Sequence, residues 1–209
     1  MERATRTKGH NTRSRILETA ARLIHRRGVH ATSVDQVLTE SGTGKSQFYY
    51  HFKTKEALVH AVLEYQVELV MEAQREQLAG LDRWSTIEAW FGGMIEAKRG
   101  DDAYLLGCPV GTLAAEMTHH DADLRAKLDD IFTMWRQCLA AGLRRMQERG
   151  ELKAEADPEA LAEFAIAAKQ GAFLVTKTRR DISVLVTVLG QVLRHLKSFA
   201  VAPEAAESR

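Results

Sequence analysis

The chain has 209 residues, 45% of them hydrophobic and 27% charged, which is enough apolar mass for a buried core and too little net charge (+1) for a disordered polyelectrolyte. There is no run of about 18 uninterrupted apolar residues, so a membrane span is not expected. Two cysteines, Cys108 and Cys138, are too few for a disulfide framework and fit a reducing compartment, with the cytoplasm as the expected location.

The opening residues, MERATRTKGHNTRSR, lack the apolar middle and small-residue cleavage site of a secretory signal, so the mature chain is expected to start here. Arg3, Arg6 and Lys8 read as a floppy basic arm. From Arg13 to Arg27, Ile16, Leu17, Ala20, Ala21, Leu23 and Ile24 recur at helical spacing, with Asn11 or Thr12 as cap, Gly28 as stop, and Arg15, Arg22 and Arg26 on the other face. Ser33 and Gln36 have the spacing of a capping box, and Gly42 sits where a short second helix would need a left-handed residue. Lys45 to Phe52 then makes about two turns, with Phe48 and Phe52 on one face and Lys45, Gln47, Tyr49 and Tyr50 left to point outward. Thr54 caps a long helix to about Leu78.

The rest of the chain is also expected to be helical. Trp84 to Arg99 carries an apolar stripe closed by Gly100, Asp101 and Asp102. Gly107, Pro109 and Gly111 interrupt before a short helix from Thr112 to Met117, and a long one runs from Leu124 to Gln147. Asp157 and Pro158 open a further helix to about Thr178. Residues 182–199 alternate at first as a strand would, but Ile182, Leu185, Val186, Leu189, Val192, Leu193 and Leu196 hold helical spacing for longer, which decides for helix. A frayed tail is expected from Pro203 to Arg209. The fold class is therefore all-α, with a three-helix helix-turn-helix domain at residues 1–55 and a larger helical body at 56–209.

The net charge hides an asymmetry. Residues 1–55 hold eleven Lys/Arg against four Asp/Glu, a balance of +7, and residues 56–209 hold eighteen against twenty-four, a balance of −6. A compact basic end favours a polyanion, through phosphate neutralisation and counterion release, while an acidic body does not. Helix, glycine-bearing turn, helix at that basic end is what a major-groove reader of double-stranded DNA requires. Thr32 and Ser33 would face phosphate, Lys45 and Gln47 could reach base edges, and Tyr49, Tyr50, His51 and Lys55 would touch phosphate and sugar.

The stretch Thr32-Ser33-Val34 followed by Ser41-Gly42-Thr43-Gly44-Lys45-Ser46-Gln47-Phe48-Tyr49-Tyr50-His51-Phe52-Lys53-Thr54-Lys55-Glu56-Ala57-Leu58 resembles the DNA-binding domain of TetR-family transcriptional regulators. The resemblance covers about residues 11–60. It implies a homodimer joined through the last two long helices and a body that binds a small molecule. It also implies phosphate contacts at Thr32 or Ser33, Tyr49, His51 and Lys55, and base contacts at Gly44, Lys45, Ser46, Gln47 and Tyr50. Serine is usual in that family where Gly44 stands, so Gly44 brings no capping hydroxyl.

Rival chemistry is weaker. Gly42-Thr43-Gly44-Lys45-Ser46 lacks the earlier glycine of a phosphate-binding loop, where Thr39 stands, and follows no strand. His119, His120, Asp121 and Asp123 are the densest potential metal ligands, but adjacent histidines point apart and Asp121 is more simply a helix cap. No nucleophile, base and orienting acid stand together, so no enzyme and no cofactor are expected. In the body, Trp90, Met94, Cys108, Met117, Trp135, Cys138, Gln170 and Phe173 are the candidates to line an effector site, with Lys169 and Gln170 as polar interruptions of an apolar helix. The segment Gly107-Cys108-Pro109-Val110-Gly111, followed by Leu113-Ala114-Ala115-Glu116, resembles that of family members suggesting a repressor released by a hydrophobic inducer. An activator or a thiol-sensing regulator of the same fold is the alternative; a helical interaction module, or an enzyme using Cys108, represents a different class.

Overall fold

The computed structural model describes residues 2–99, 107–117 and 121–201, with side chains from residue 12 onward. Gly100, Asp101, Asp102, His119, His120 and the tail from Pro203 lie outside the described residues. Within them the chain forms nine helices: α1 (Glu2–Arg27), α2 (Val34–Ser41), α3 (Lys45–His51), α4 (Lys55–Ala79), α5 (Trp84–Glu96), α6 (Pro109–Met117), α7 (Ala122–Glu148), α8 (Pro158–Arg179) and α9 (Ser183–Lys197). They belong to two compact units, Met1–Ala73 with Cys108–Leu128, and Gln74–Gly107 with Asp129–Arg209.

The first unit is organised by α1, whose Ile16, Ala20, Leu23 and Ile24 are almost completely buried with Val37 of α2, Phe48 of α3 and Val62 and Leu63 of α4. The helix starts well before the expected caps: the backbone is already helical at Glu2, so Asn11 and Thr12 lie inside α1 and no separate arm precedes it. No proline or glycine pair stands in the first eleven residues to stop propagation, and a single Gly9 costs about 1 kcal/mol against alanine. The basic face of α1 is also partly used within the molecule. Arg15 donates to the carbonyls of Ser41 and Gly42 at the end of α2, and Arg22 pairs with Glu40 at 2.8 Å. A cation on the last carbonyls of a helix complements the negative end of its dipole.

In the same unit α6 begins at Pro109, with proline in the first turn, so Gly111 lies inside that helix instead of interrupting it. Cys108 takes the capping place: its Sγ accepts from the Gly111 N–H at 3.4 Å and its carbonyl from Thr112. Glu116 in the last turn of α6 accepts from the Val29 N–H at 2.7 Å, while Lys55 donates to the Val29 carbonyl at 2.8 Å. The peptide that links α1 to α2 is thereby held from both sides.

The second unit buries Ile87, Trp90 and Phe91 of α5, Trp135, Leu139 and Leu143 of α7, Ala162 and Ala165 of α8 and Leu185, Leu189 and Leu196 of α9. Asp157 caps α8 by accepting from Glu159 and Ala160 N–H at 3.0 and 3.2 Å, and Pro158 fills the first position, as expected. Residues 183–197 are helical, in agreement with the longer of the two periodicities. One feature carried no periodic signal: Leu152 and Ala200 form an isolated antiparallel bridge, with Gln147 reaching the carbonyls of Lys153, Ala154 and Ala156 at about 3 Å.

Candidate functional site

The helix-turn-helix is built from local signals that the sequence states openly. Ser33 Oγ accepts from the Gln36 N–H at 3.2 Å, and the Gln36 side chain returns to the Ser33 N–H at 3.0 Å. This reciprocal box starts α2. Gly42 ends it with φ +61°, a conformation that only glycine adopts without strain. Phe48 then anchors α3 with 1% of its surface exposed, its ring 5.3 Å from Tyr49 and 5.9 Å from Phe52.

That anchoring leaves an exposed surface. Gly44, Lys45, Ser46, Gln47, Tyr49 and Tyr50 are all exposed, Tyr50 to 81%, while His51 and Lys55 are half-buried. Lys45 Nζ lies 3.1 Å from Asp35, but both side chains are largely in solvent, so the pair holds the lysine loosely. Ser33 is exposed with its hydroxyl committed to the cap. Thr32 is 2% exposed, donates its hydroxyl to the Gly28 carbonyl at 2.7 Å and its N–H to the Val29 carbonyl at 3.3 Å, so both its side chain and its backbone are committed within the fold.

Gln47 has a second task that its spacing could have disclosed. Its Oε1 accepts from the Gly44 N–H at 3.0 Å, the return arm of a capping box three residues long, whose other arm is missing because Gly44 has no hydroxyl. Gly44 adopts φ −98° and ψ 159°, ordinary extended backbone, and a Cβ there would meet nothing within 4 Å. Gly44→Ser is therefore expected to complete the box and raise stability by roughly a few tenths of a kcal/mol, read as a higher urea midpoint at unchanged slope.

The charged group at the start of α7 is structural. Asp121 Oδ1 accepts from the Leu124 N–H at 2.9 Å and Oδ2 lies 2.5 Å from His60 Nε2. The Leu124 N–H first, and His60 second, hold its carboxyl below the usual carboxylate range. A lowered folded value means that its contribution is complete above about pH 4 and fades as pH falls through that lowered value. Asp121→Asn should accordingly flatten the acid limb of stability, seen as a smaller loss of urea midpoint between about pH 5 and 3 than in the parent. Among the described residues no group of three or more His, Cys, Asp or Glu is placed to hold a metal ion.

The eight candidate effector contacts divide between the units. Cys108 and Met117 belong to the first; Trp90, Met94, Trp135, Cys138, Gln170 and Phe173 belong to the second. Trp90 and Trp135 are buried almost completely, Phe173 and Met117 nearly so, and Met94, Gln170 and the two cysteines are half-buried. Burial pushes the Cys138 thiol up, away from a reactive thiolate. Lys169, given in the sequence as a polar interruption, is 2% exposed with its ammonium 3.9 Å from the Trp135 ring centre and 5.2 Å from that of Trp90.

Two family models match the chain: the TetR-family bacterial regulatory protein domain over residues 16–62 and the tetracyclin repressor-like C-terminal domain over residues 80–191. An HTH-type transcriptional regulator from the lacX 3′ region of Lactococcus lactis is 34% identical over 179 residues, 84% of this chain and 88% of that protein. The chain belongs to the TetR family. It is a helix-turn-helix, DNA-binding transcriptional regulator and not an enzyme. The HTH-type transcriptional repressor DhaR of Mycobacterium sp. strain GP1 is 27% identical over 193 residues, covering 87% of this chain and 91% of its own. A TetR transcriptional regulator from Chloroflexus aurantiacus superposes with a TM-score of 0.77 at 26% identity, covering 93% of this chain and 98% of its own. No helix among the described residues of this TetR-family regulator is long and apolar enough to cross a membrane.

Proposed function

We propose that this regulator is a homodimeric repressor that grips a palindromic operator and is released by a small hydrophobic molecule. Residues 1–55 bind DNA, and residues 56–209 bind the effector and the second subunit. The observation that carries the DNA half is the surface of α3, where Tyr49 and Tyr50 are 57% and 81% exposed while Phe48 beside them is buried. Large aromatic side chains held in water on a fixed helix serve contact with a partner better than they serve the fold. Lys45, Ser46, Gln47 and Tyr50 read base edges from α3; Tyr49, His51, Lys55 and the exposed Ser33, through its hydroxyl proton, take phosphate. Gln47 leaves its capping bond, and Lys55 its carbonyl, when they do so.

The dimer is supported by α8 and α9, which keep Phe164, Leu174 and Val186 exposed to 46%, 61% and 38%. Repression is supported by the likeness to DhaR, a protein described as a repressor. Selection of bound sequences from a random duplex pool tests the reading. Inverted repeats with half-sites about 34–36 Å apart, or a multiple of that, are expected, and affinity should fall steeply with salt. Recovery of no sequence even at low ionic strength overturns the DNA reading. Screening a library of uncharged and charged hydrophobic compounds for release of the selected duplex tests the effector reading.

A further inference from the structure

The basic end of the chain carries an acid beside the residue that opens its reading helix. Of the described acids in residues 12–55, Glu40 pairs with Arg22 at 2.8 Å, and Glu18 lines a cleft between α1 and α4 with Arg13, Tyr65 and Glu68. Asp35 has neither task. It stands in the first turn of α2, its side chain 73% exposed, with Oδ1 3.1 Å from Nζ of Lys45, the first residue of α3, whose side chain is 70% exposed. The positive end of the α2 dipole favours an acid in that turn. It does not require that acid to meet the lysine.

In water such a pair contributes little to stability. Against DNA it has a cost, because a carboxylate repels phosphate and a lysine it neutralises displaces fewer counterions. General affinity is lost, and discrimination is what a surface of this kind can gain.

The pair also has a chemical shape: a donor and an acceptor about one hydrogen bond apart. In the major groove a guanine–cytosine pair presents the complement. Guanine O6 accepts, cytosine N4 donates, and their own base-pair bond holds them about 2.9 Å apart, with guanine N7 as a second acceptor next to O6.

We propose that Asp35 is a specificity-determining residue of the DNA interface, which with Lys45 reads a guanine–cytosine pair: the ammonium donates to guanine N7 and O6, and the carboxylate accepts from cytosine N4. This rests on the reading that α3 enters the major groove; it names the bases met there and adds a reader from α2. In an adenine–thymine pair the amino group lies between the two acceptors and a methyl group flanks thymine O4, so the ammonium finds one acceptor where guanine gives two. Docking excludes water from the pair and strengthens its Coulomb attraction over that in solution.

Selection from a random duplex pool with the full chain, Asp35→Ala and Lys45→Met tests this. It is followed by fluorescence anisotropy on the selected duplex, its single-pair substitutions and a scrambled duplex of equal length. Lys45→Met should erase the base preference at one position of each half-site and weaken binding to every duplex. At that position the parent is expected to select guanine–cytosine and to bind each substitution at least about tenfold more weakly. Asp35→Ala should cut that discrimination to about threefold or less and bind the scrambled duplex about three- to tenfold more tightly. It should also steepen the dependence of log affinity on log salt by about 1 per subunit, as the freed lysine takes a phosphate. Both side chains are exposed, so the Tm of either variant should stay within about 2 °C of the parent. A role confined to the fold would move Tm and leave base preference and salt slope alone. No position sensitive to Lys45→Met, an adenine–thymine pair at that position, or a base preference and salt slope unchanged in Asp35→Ala overturns the inference and leaves the DNA reading standing. Recovery of no duplex by the parent overturns both.

Discussion

Gly142→Ala should strongly destabilise the second unit. A Cβ at Gly142, in the middle of α7, would stand 1.7 Å from the Leu81 carbonyl oxygen and 2.6 Å from its carbon. These are backbone atoms, so no rotamer change relieves the overlap. The facing segment is also tethered. Leu81 is fully buried, Arg149 donates to the Asp82 carbonyl, and the Arg145 and Arg149 guanidiniums stand 3.5 and 3.8 Å from the Asp82 carboxylate. Overpacking of this kind costs about 1–3 kcal/mol or more, against a gain of about 1 kcal/mol from alanine's better helix propensity. The steric term wins because it must move a backbone. A net loss of about 2 kcal/mol corresponds to a fall in Tm of roughly 4–8 °C for a chain of this size. Gly92→Ala in α5 is the control: a Cβ there meets nothing within 4 Å, so the propensity gain stands alone and Tm should rise slightly. A Gly142→Ala protein with an unchanged melting curve would mean that α7 and the Leu81 segment do not approach each other as described.

Gly142 also marks the boundary of what the sequence discloses. Capping box, left-handed glycine and proline at a first turn depend on residues three or four apart, and Ser33–Gln36, Gly42 and Asp157–Pro158 act as their types and spacings require. The periodicity that outlasted strand alternation at 182–196 is of the same local kind. Features that depend on distant partners left no such trace. Nothing in the neighbourhood of Gly142 separates it from Gly92, and the difference lies in a carbonyl about sixty positions earlier. Arg15 and Arg22 read as a free basic face because their acceptors, the end of α2 and Glu40, are brought near only by folding. Thr32 reads as a phosphate ligand until Gly28 takes its hydroxyl, and Lys55 is drawn onto Val29 across 26 positions. Gln47 is the instructive middle case, since its three-residue spacing from Gly44 was a capping signal obscured by the glycine that cannot answer it.

The DNA-binding surface and its support can be separated by two substitutions three residues or fewer apart. Phe48→Ala removes a ring that is 1% exposed and packed near Tyr49 and Phe52, and such truncations cost about 3–5 kcal/mol. With α3 only seven residues long, the helix has too few hydrogen bonds to persist without its anchor. Operator affinity should then vanish, with a lowered Tm and a loss of helical circular dichroism no larger than the seven residues of α3 account for. Tyr50→Ala removes a ring that is 81% exposed and whose aromatic contact is the edge of His51 at 4.9 Å. Stability should stay within about 0.5 kcal/mol of the parent. Affinity for the selected duplex should nevertheless fall by about tenfold or more, the loss of one good contact of about 1–3 kcal/mol per subunit, acting twice in a dimer. Fluorescence anisotropy at fixed salt, paired with thermal melting of both variants, reads the two effects independently. Full affinity in a well-folded Tyr50→Ala protein would remove that tyrosine from the interface and shift the reading of bases to Lys45, Ser46 and Gln47.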